Sequence, residues 1–298
     1  MIFTLNESSP SKDESAPHKK LSKKAKRIII LSIVISLVSA LIISILISNF
    51  SIKITRHSTE HSKIISPVRI ALISDLHTRE YGNENRKLIS KIEKQNPELI
   101  LLTGDILTSE ATKDTDFKYL HNLIFSLQEF APVFFSIGNQ ERFNPKIDTI
   151  CEFVRKAGGT VLDNEYTDIN INGNPIRIGG ITYYRSWDKD ANTFLQEFCS
   201  VNEDVYTILL SHNPEFYLWG MKNYPIDLTL SGHTHGGMIK LPLIGPLYAP
   251  EQGWFPDYAA GFYEFEKGHL AVTTGLSSSP KEMPRIFNRP EIMIIDLK

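Results

Sequence analysis

The chain has 298 residues, of which 42% are hydrophobic, 10% aromatic and 22% charged. That composition excludes a wholly disordered chain, a collagen-like chain and a polytopic membrane protein. The net charge of −2 conceals a split: residues 1–66 hold ten Lys/Arg against four Asp/Glu, and residues 67–298 hold 22 against 30. An acidic main segment argues against extended nucleic-acid binding, which needs a basic face.

Residues 1–27 are polar and basic, with Lys12, Lys19, Lys20, Lys23, Lys24, Lys26 and Arg27 close together, and read as a cytoplasmic tail without fixed structure. Ile28 to Ile47 is an uncharged run of Ile, Leu, Val, Ala and Ser. At about 1.5 Å per residue it spans the roughly 30 Å of a bilayer core, so 28–48 reads as a transmembrane signal-anchor. Only Lys53, Arg56 and Lys63 follow it closely, which places the N-terminus in the cytoplasm and the main domain outside. Residues 49–66 read as a tether.

From Pro67 onward, strand-like and helix-like stretches alternate. Strands are expected at 68–74, 98–103 and 133–137, and helices at 84–95, 117–130 and 147–157, the last stopped by Gly158-Gly159. Beyond that, strands are expected at 175–180, 205–210, 228–231, 261–265, 270–274 and 291–297, with Asn172-Gly173 as a hairpin turn. Cys151 and Cys199 exclude a disulfide framework and a Cys-rich zinc site, and read as small buried side chains. The expectation is one α/β domain over 67–298.

Five of the hydrophobic strands end in short polar sequences, where sites collect in α/β folds. These are Asp75-Leu76-His77, Gly104-Asp105, Gly138-Asn139-Gln140-Glu141, Ser211-His212-Asn213-Pro214 and Ser231-Gly232-His233-Thr234-His235-Gly236-Gly237. Taken singly, Asp75 and Asp105 can be helix caps, Asn139 a turn residue and His212 a structural histidine. Taken together, four histidines, two aspartates and one asparagine form a donor set suited to Mn, Fe or Zn and too large for one catalytic ion with open positions. Two divalent ions sharing a carboxylate fit it, a device suited to displacement at phosphorus.

The ordered series Asp-x-His, Gly-Asp, Gly-Asn-x-Glu, His and Gly-His-x-His resembles the calcineurin-like metallophosphoesterase family. The 230–237 stretch, Leu247-Tyr248-Ala249-Pro250, Tyr258-Ala259-Ala260-Gly261 and Arg285-Ile286-Phe287-Asn288-Arg289-Pro290-Glu291 resemble its membrane-anchored bacterial, YkuE-like and YaeI-like branch. The resemblance implies two packed β-sheets flanked by helices in a four-layer sandwich, preceded here by one N-terminal transmembrane helix. It implies that Asp75, His77 and His235 hold one metal, that Asn139, His212 and His233 hold the other, and that Asp105 bridges them. It also makes Asp105, Asn139 and the residue at 140 catalytic. The family usually has histidine where this chain has Gln140, and glutamine can donate a hydrogen bond but cannot deliver a proton to a leaving group.

Tyr248, Trp254, Phe255, Tyr258, Phe262 and Tyr263 pack an irregular loop or form an apolar wall for a lipid or aromatic group. The expectation is a membrane-anchored, two-metal hydrolase of a phosphorylated small-molecule or lipid-linked substrate. Two alternatives stand beside it: a UDP-2,3-diacylglucosamine hydrolase, and a catalytically weakened metal- or phosphate-binding protein.

Overall fold

The structure, a computed structural model, describes residues 22–182, 189–277 and 284–298. It divides into one unit ending at Ile42 and a second spanning Ile43–Lys298. The basic tail expected over 1–27 lies outside the described residues up to position 21. The apolar run falls inside a helix, Lys23–Phe50, which is long and apolar enough to cross a membrane. Its aliphatic side chains, from Ile28 to Ile47, are largely exposed.

Residues 49–66, expected as a tether, are instead built into the domain. The hydroxyls of Ser44 and Ser48 accept hydrogen bonds from the backbone N–H groups of Phe287 (2.8 Å) and Asn288 (3.2 Å). Lys53–Thr59 then pairs in parallel with Glu291–Leu297, residue for residue. Beyond it, Lys63 Nζ sits 2.7 Å from Asp227, and the Asn174 side chain accepts from the N–H groups of Ile65 and Ser66.

Two six-stranded mixed sheets form the centre. The first runs in the order Lys53–Thr59, Glu291–Leu297, Val68–Ile73, Leu99–Leu102, Val133–Ser136, Thr160–Leu162. The second runs Gly261–Phe265, Gly268–Val272, Leu228–Ser231, Tyr206–Ser211, Asn174–Ile181, Glu165–Ile171. Strand alternation explains the layers. Ile70, Leu72, Leu99 and Leu101 of the first sheet meet Ile178, Ile208, Leu210 and Leu230 of the second. The opposite-face residues Ala71, Ile73, Ile100 and Leu102 instead pack under Leu88, Ile92, Leu120, Ile124 and Val154 of helices Arg86–Glu93, Asp114–Gln128 and Ile147–Lys156. Leu209, Ile181 and Val272 do the same on the other side with Leu195, Phe198 and Phe216. The result is helix, sheet, sheet, helix, as expected.

Local signals explain the boundaries. Asp116 accepts from the Lys113 N–H at the start of its helix (3.0 Å), where negative charge complements the dipole. Gly158 takes φ 91° after Lys156, and the N–H of Gly159 returns to Val154 O at 3.0 Å, a left-handed stop. Asn172 and Gly173, both at positive φ, close the hairpin between Glu165–Ile171 and Asn174–Ile181. Cys151 and Cys199 are unpaired thiols, and burial raises the pKa of each to about 11.

Candidate metal centre

Strands Val68–Ile73, Leu99–Leu102, Tyr206–Ser211 and Leu228–Ser231 are neighbours in their sheets, so the loops after them converge. Asp75, His77, Asp105, His233 and His235 all have positive φ, between 47° and 68°. That conformation is uncommon for residues other than glycine and clusters at functional sites. Two glycines allow the close approach. A Cβ on Gly138 would lie 2.2 Å from Asp105 Oδ1, and one on Gly232 would lie 2.4 Å from Asp75 Oδ2.

The seven residues singled out in the sequence share this one site. Asp75 Oδ1 lies 4.0 Å from His77 Nε2, 3.8 Å from His235 Nε2 and 3.9 Å from His212 Nε2. Asp105 Oδ2 lies 3.2 Å from His212 Nε2 and 3.8 Å from His77 Nε2. His233 Nδ1 lies 3.0 Å from Asn139 Oδ1, and the His233 N–H donates to Asp75 (3.0 Å). Asp75, His77 and His235 make one group whose donor atoms can meet a single ion, and Asp75, Asp105 and His212 make a second.

Backbone carbonyls orient two of the imidazoles. His212 Nδ1 donates to Thr103 O (2.6 Å) and His235 Nδ1 to Ser277 O (3.0 Å). Because a carbonyl can only accept, each Nδ1 carries the proton and each Nε2 is turned to the site. His233 Nε2 and both ring nitrogens of His77 are buried without a hydrogen-bond partner, and His212 Nε2 faces the Asp105 carboxylate at 3.2 Å. Such atoms are costly to leave unpaired, and here they surround two buried carboxylates. This donor set fits divalent cations, with oxygen and imidazole ligands and no thiolate.

Electrostatics agree. Burial lowers the pKa of His233 to about 3, with the His212 charge adding to it. Burial also keeps His235 well below its usual value, helped by His77 and Arg285. Neutral imidazoles are the ligand form. Burial works against a charged His212, but the Asp105 and Asp75 carboxylates and the Thr103 carbonyl outweigh it and hold its pKa up at about 10. Burial likewise opposes ionisation of Asp105, yet His212, His77 and the Gln140 N–H hold its carboxyl below the usual carboxylate range. Without a cation the proton stays on His212 beside an ionised Asp105, and a bound cation would displace it.

Gln140 lies at the site, but its side-chain oxygen is engaged, accepting from the Ser109 N–H at 3.0 Å; its own N–H donates to Asp105 Oδ1 at 2.8 Å. The aromatic residues do not form one wall. Tyr258 and Tyr263 pack against each other at 5.0 Å, and Phe262 lies between His57 and His269. Tyr248, Trp254 and Phe255 are exposed.

Four residues close to the ligand set have no role assigned from the sequence. Glu141, fully buried, accepts from the N–H groups of Asp105, Ile106, Leu107 and Gly138 at 2.7–3.1 Å; the Gly-Asn-x-Glu series was its only signal. Arg285, also fully buried, donates to Thr274 O and Ser277 O (2.6 and 2.5 Å) and to His235 O (3.4 Å). Glu215 and Glu251 approach His233, the latter 3.9 Å from its Nε2. Nothing in the local sequence of these two marks them.

Residues 68–237 match the family of calcineurin-like phosphoesterases. The chain is 28% identical over 256 residues to the metallophosphoesterase YkuE of Bacillus subtilis, covering 83% of this chain and 86% of that one. It is 31% identical over 236 residues to the phosphodiesterase YaeI of Escherichia coli, covering 78% and 83%. It is 26% identical over 280 residues to the UDP-2,3-diacylglucosamine pyrophosphatase LpxG of Chlamydia muridarum, covering 76% and 83%.

Proposed function

Because the chain belongs to the calcineurin-like phosphoesterase family, we propose that it is a membrane-anchored hydrolase cleaving a phosphoester or pyrophosphate bond of a small or lipid-linked substrate. The observation that carries the reading is the convergence of seven imidazole, carboxylate and amide side chains around buried, unpartnered ring nitrogens. In this reading Asp75, His77 and His235 hold one divalent ion, Asn139, His212 and His233 the other, and Asp105 is shared. Two such ions, of Mn, Fe or Zn, would lower the pKa of a water and offset charge on the phosphoryl oxygens.

The protein's own contribution is positioning. Asp105 is fixed through the Gln140 N–H, and Glu141 fixes the backbone on either side of it. The water gives up a proton to solvent, its oxygen bonds to phosphorus as the P–O bond to the leaving group breaks, and the leaving oxygen takes a proton from solvent. Gln140 can donate its amide N–H to that oxygen but supplies no proton. The basic residues before the apolar run support a catalytic domain outside the cytoplasm in this reading.

A second reading draws on likeness to LpxG and makes the substrate a nucleotide-activated glycolipid. The orientation disfavours it, because nucleotide-activated precursors belong on the cytoplasmic side. A third, a non-catalytic metal-binding protein, draws on Gln140. The test is turnover of phosphomonoesters, phosphodiesters and pyrophosphates by the full-length protein in detergent, with and without chelator. Chelator-sensitive turnover is expected. Fully metal-loaded protein without turnover on any class would sink the hydrolase reading and favour the third.

A further inference from the structure

The last turns of the N-terminal helix and the loop carrying His77 enclose an open cavity of about 530 Å³. Its wall combines His77 and Arg79 with Ile45, Asn49, Phe50 and Pro284. All of these belong to the unit that starts at Ile43. The lining is chemically mixed. His77, only 8% exposed, keeps both ring nitrogens without a partner, and Arg79 stands two residues further on. The remaining lining side chains are apolar or uncharged, and Phe50 is 77% exposed.

Arg79 is held at its base and in part at its guanidinium, with two of its donors left over. Its carbonyl accepts from the Tyr119 hydroxyl at 2.6 Å, and its guanidinium lies over the Tyr81 ring, 4.9 Å from the centroid. Nη2 donates to Asn49 O. Among the described residues its Nε and Nη1 have no hydrogen-bond partner. A guanidinium fork with free donors beside candidate metal ligands matches a phosphate oxygen. Ile45, Phe50 and Pro284 offer apolar surface, including an exposed aromatic ring, to a hydrocarbon.

We propose that this cavity is the substrate-entry site for a phosphate ester or pyrophosphate of a lipid, with Arg79 binding the phosphate and the hydrocarbon chain lying against Ile45, Phe50 and Pro284. The proposal rests on the phosphoesterase reading above and narrows its substrate class. Ile45, Asn49 and Phe50, from the last turns of the helix, then supply one wall of the site. Arg79 is a specificity-determining residue in this scheme.

The test uses full-length, amphipol-solubilised protein and two probes, dodecyl phosphate and ethyl phosphate. Binding is measured on metal-stripped protein, and turnover separately on metal-loaded protein. Dodecyl phosphate should bind at least about tenfold more tightly than ethyl phosphate, since each buried methylene contributes about 0.8 kcal/mol. Phe50→Ala should shrink that preference while leaving ethyl phosphate affinity unchanged. Arg79→Gln should weaken both probes by about tenfold or more, with metal content unchanged and partial rescue by Arg79→Lys. If this binding pattern appears but no phosphoester is turned over, the entry site stands and the hydrolase reading falls. If ethyl and dodecyl phosphate bind and turn over alike, and neither substitution alters binding, the entry site is refuted while the hydrolase reading survives.

Discussion

Replacing Glu141 with glutamine keeps the shape of the side chain and removes its charge. In the native structure Glu141 Oε1 accepts from Ile106 N (2.7 Å) and Leu107 N (3.0 Å), and Oε2 from Asp105 N (2.8 Å) and Gly138 N (3.1 Å). A carboxamide can accept on one side only. Its NH₂ would face two N–H donors that have no other acceptor, in a site with no solvent exposure at Glu141. Each buried N–H left unpaired costs about 1–3 kcal/mol, so Glu141→Gln should destabilise the metal-free protein by about 2–6 kcal/mol. Both possible amide orientations disturb a backbone N–H within two residues of Asp105, so metal affinity should fall as well. Urea unfolding of metal-free protein gives the first quantity, and competition titration with a metal-sensitive dye gives the second. A loss of stability below about 1 kcal/mol, with metal affinity unchanged, would refute the view that Glu141 sets the Asp105 loop.

Other outcomes follow from the same geometry. His212 has its pKa raised above 6.5, to about 10; its contribution to the metal-free fold is therefore complete below pH 6.5 and lost as pH rises through about 10. Metal-free stability should fall over that window, and His212→Ala should abolish that dependence; an unchanged pH profile in the variant would contradict the assignment. Removing residues 1–66 should destabilise the domain far more than removing 1–42, because the first cut deletes the strand that pairs along the full length of Glu291–Leu297; equal melting temperatures would show that strand to be dispensable. Gln140→His should raise turnover of alkyl phosphates about tenfold, or about 1.4 kcal/mol, relative to nitrophenyl phosphates, because imidazole can protonate a poor leaving group. An equal gain on both series would rule out a leaving-group role. Protease added to intact cells or spheroplasts should reach the domain; full protection would reverse the orientation.

The short apolar strands and the polar residues at their ends were legible in the sequence because burial and chemistry coincide there. Leu99–Leu102 is fully buried, and three residues later Asp105 enters the site. Edge strands were less legible. Lys53–Thr59 is polar and half-covered along one edge, so its sequence resembles a linker, and its partner lies more than 230 residues away. Glu165–Ile171 alternates exposed and half-buried positions at the opposite edge of its sheet, and only its Asn-Gly turn gave it away. The site's supporting groups were hidden for a different reason. Arg285 is read from sequence as a surface cation, and only the folded chain gathers three carbonyls around it. Glu215 lies in the first turn of the helix Pro214–Trp219 and Glu251 in a turn far along the chain, and they meet only beside His233. Of the two readings of the aromatic cluster, packing holds for Tyr258, Phe262 and Tyr263, because an aromatic run by itself does not say whether the rings meet each other or a ligand.

The account stands or falls on whether the seven-residue cluster holds two ions at once. Full-length protein purified without chelator should be analysed for metal content and by anomalous scattering from crystals. The expected result is two ions per chain, about 3.5–4 Å apart, with Asp105 in contact with both and both sites weakened in Asp105→Asn. A fully loaded protein with a single occupied position, or two ions of which Asp105 touches only one, would contradict the account.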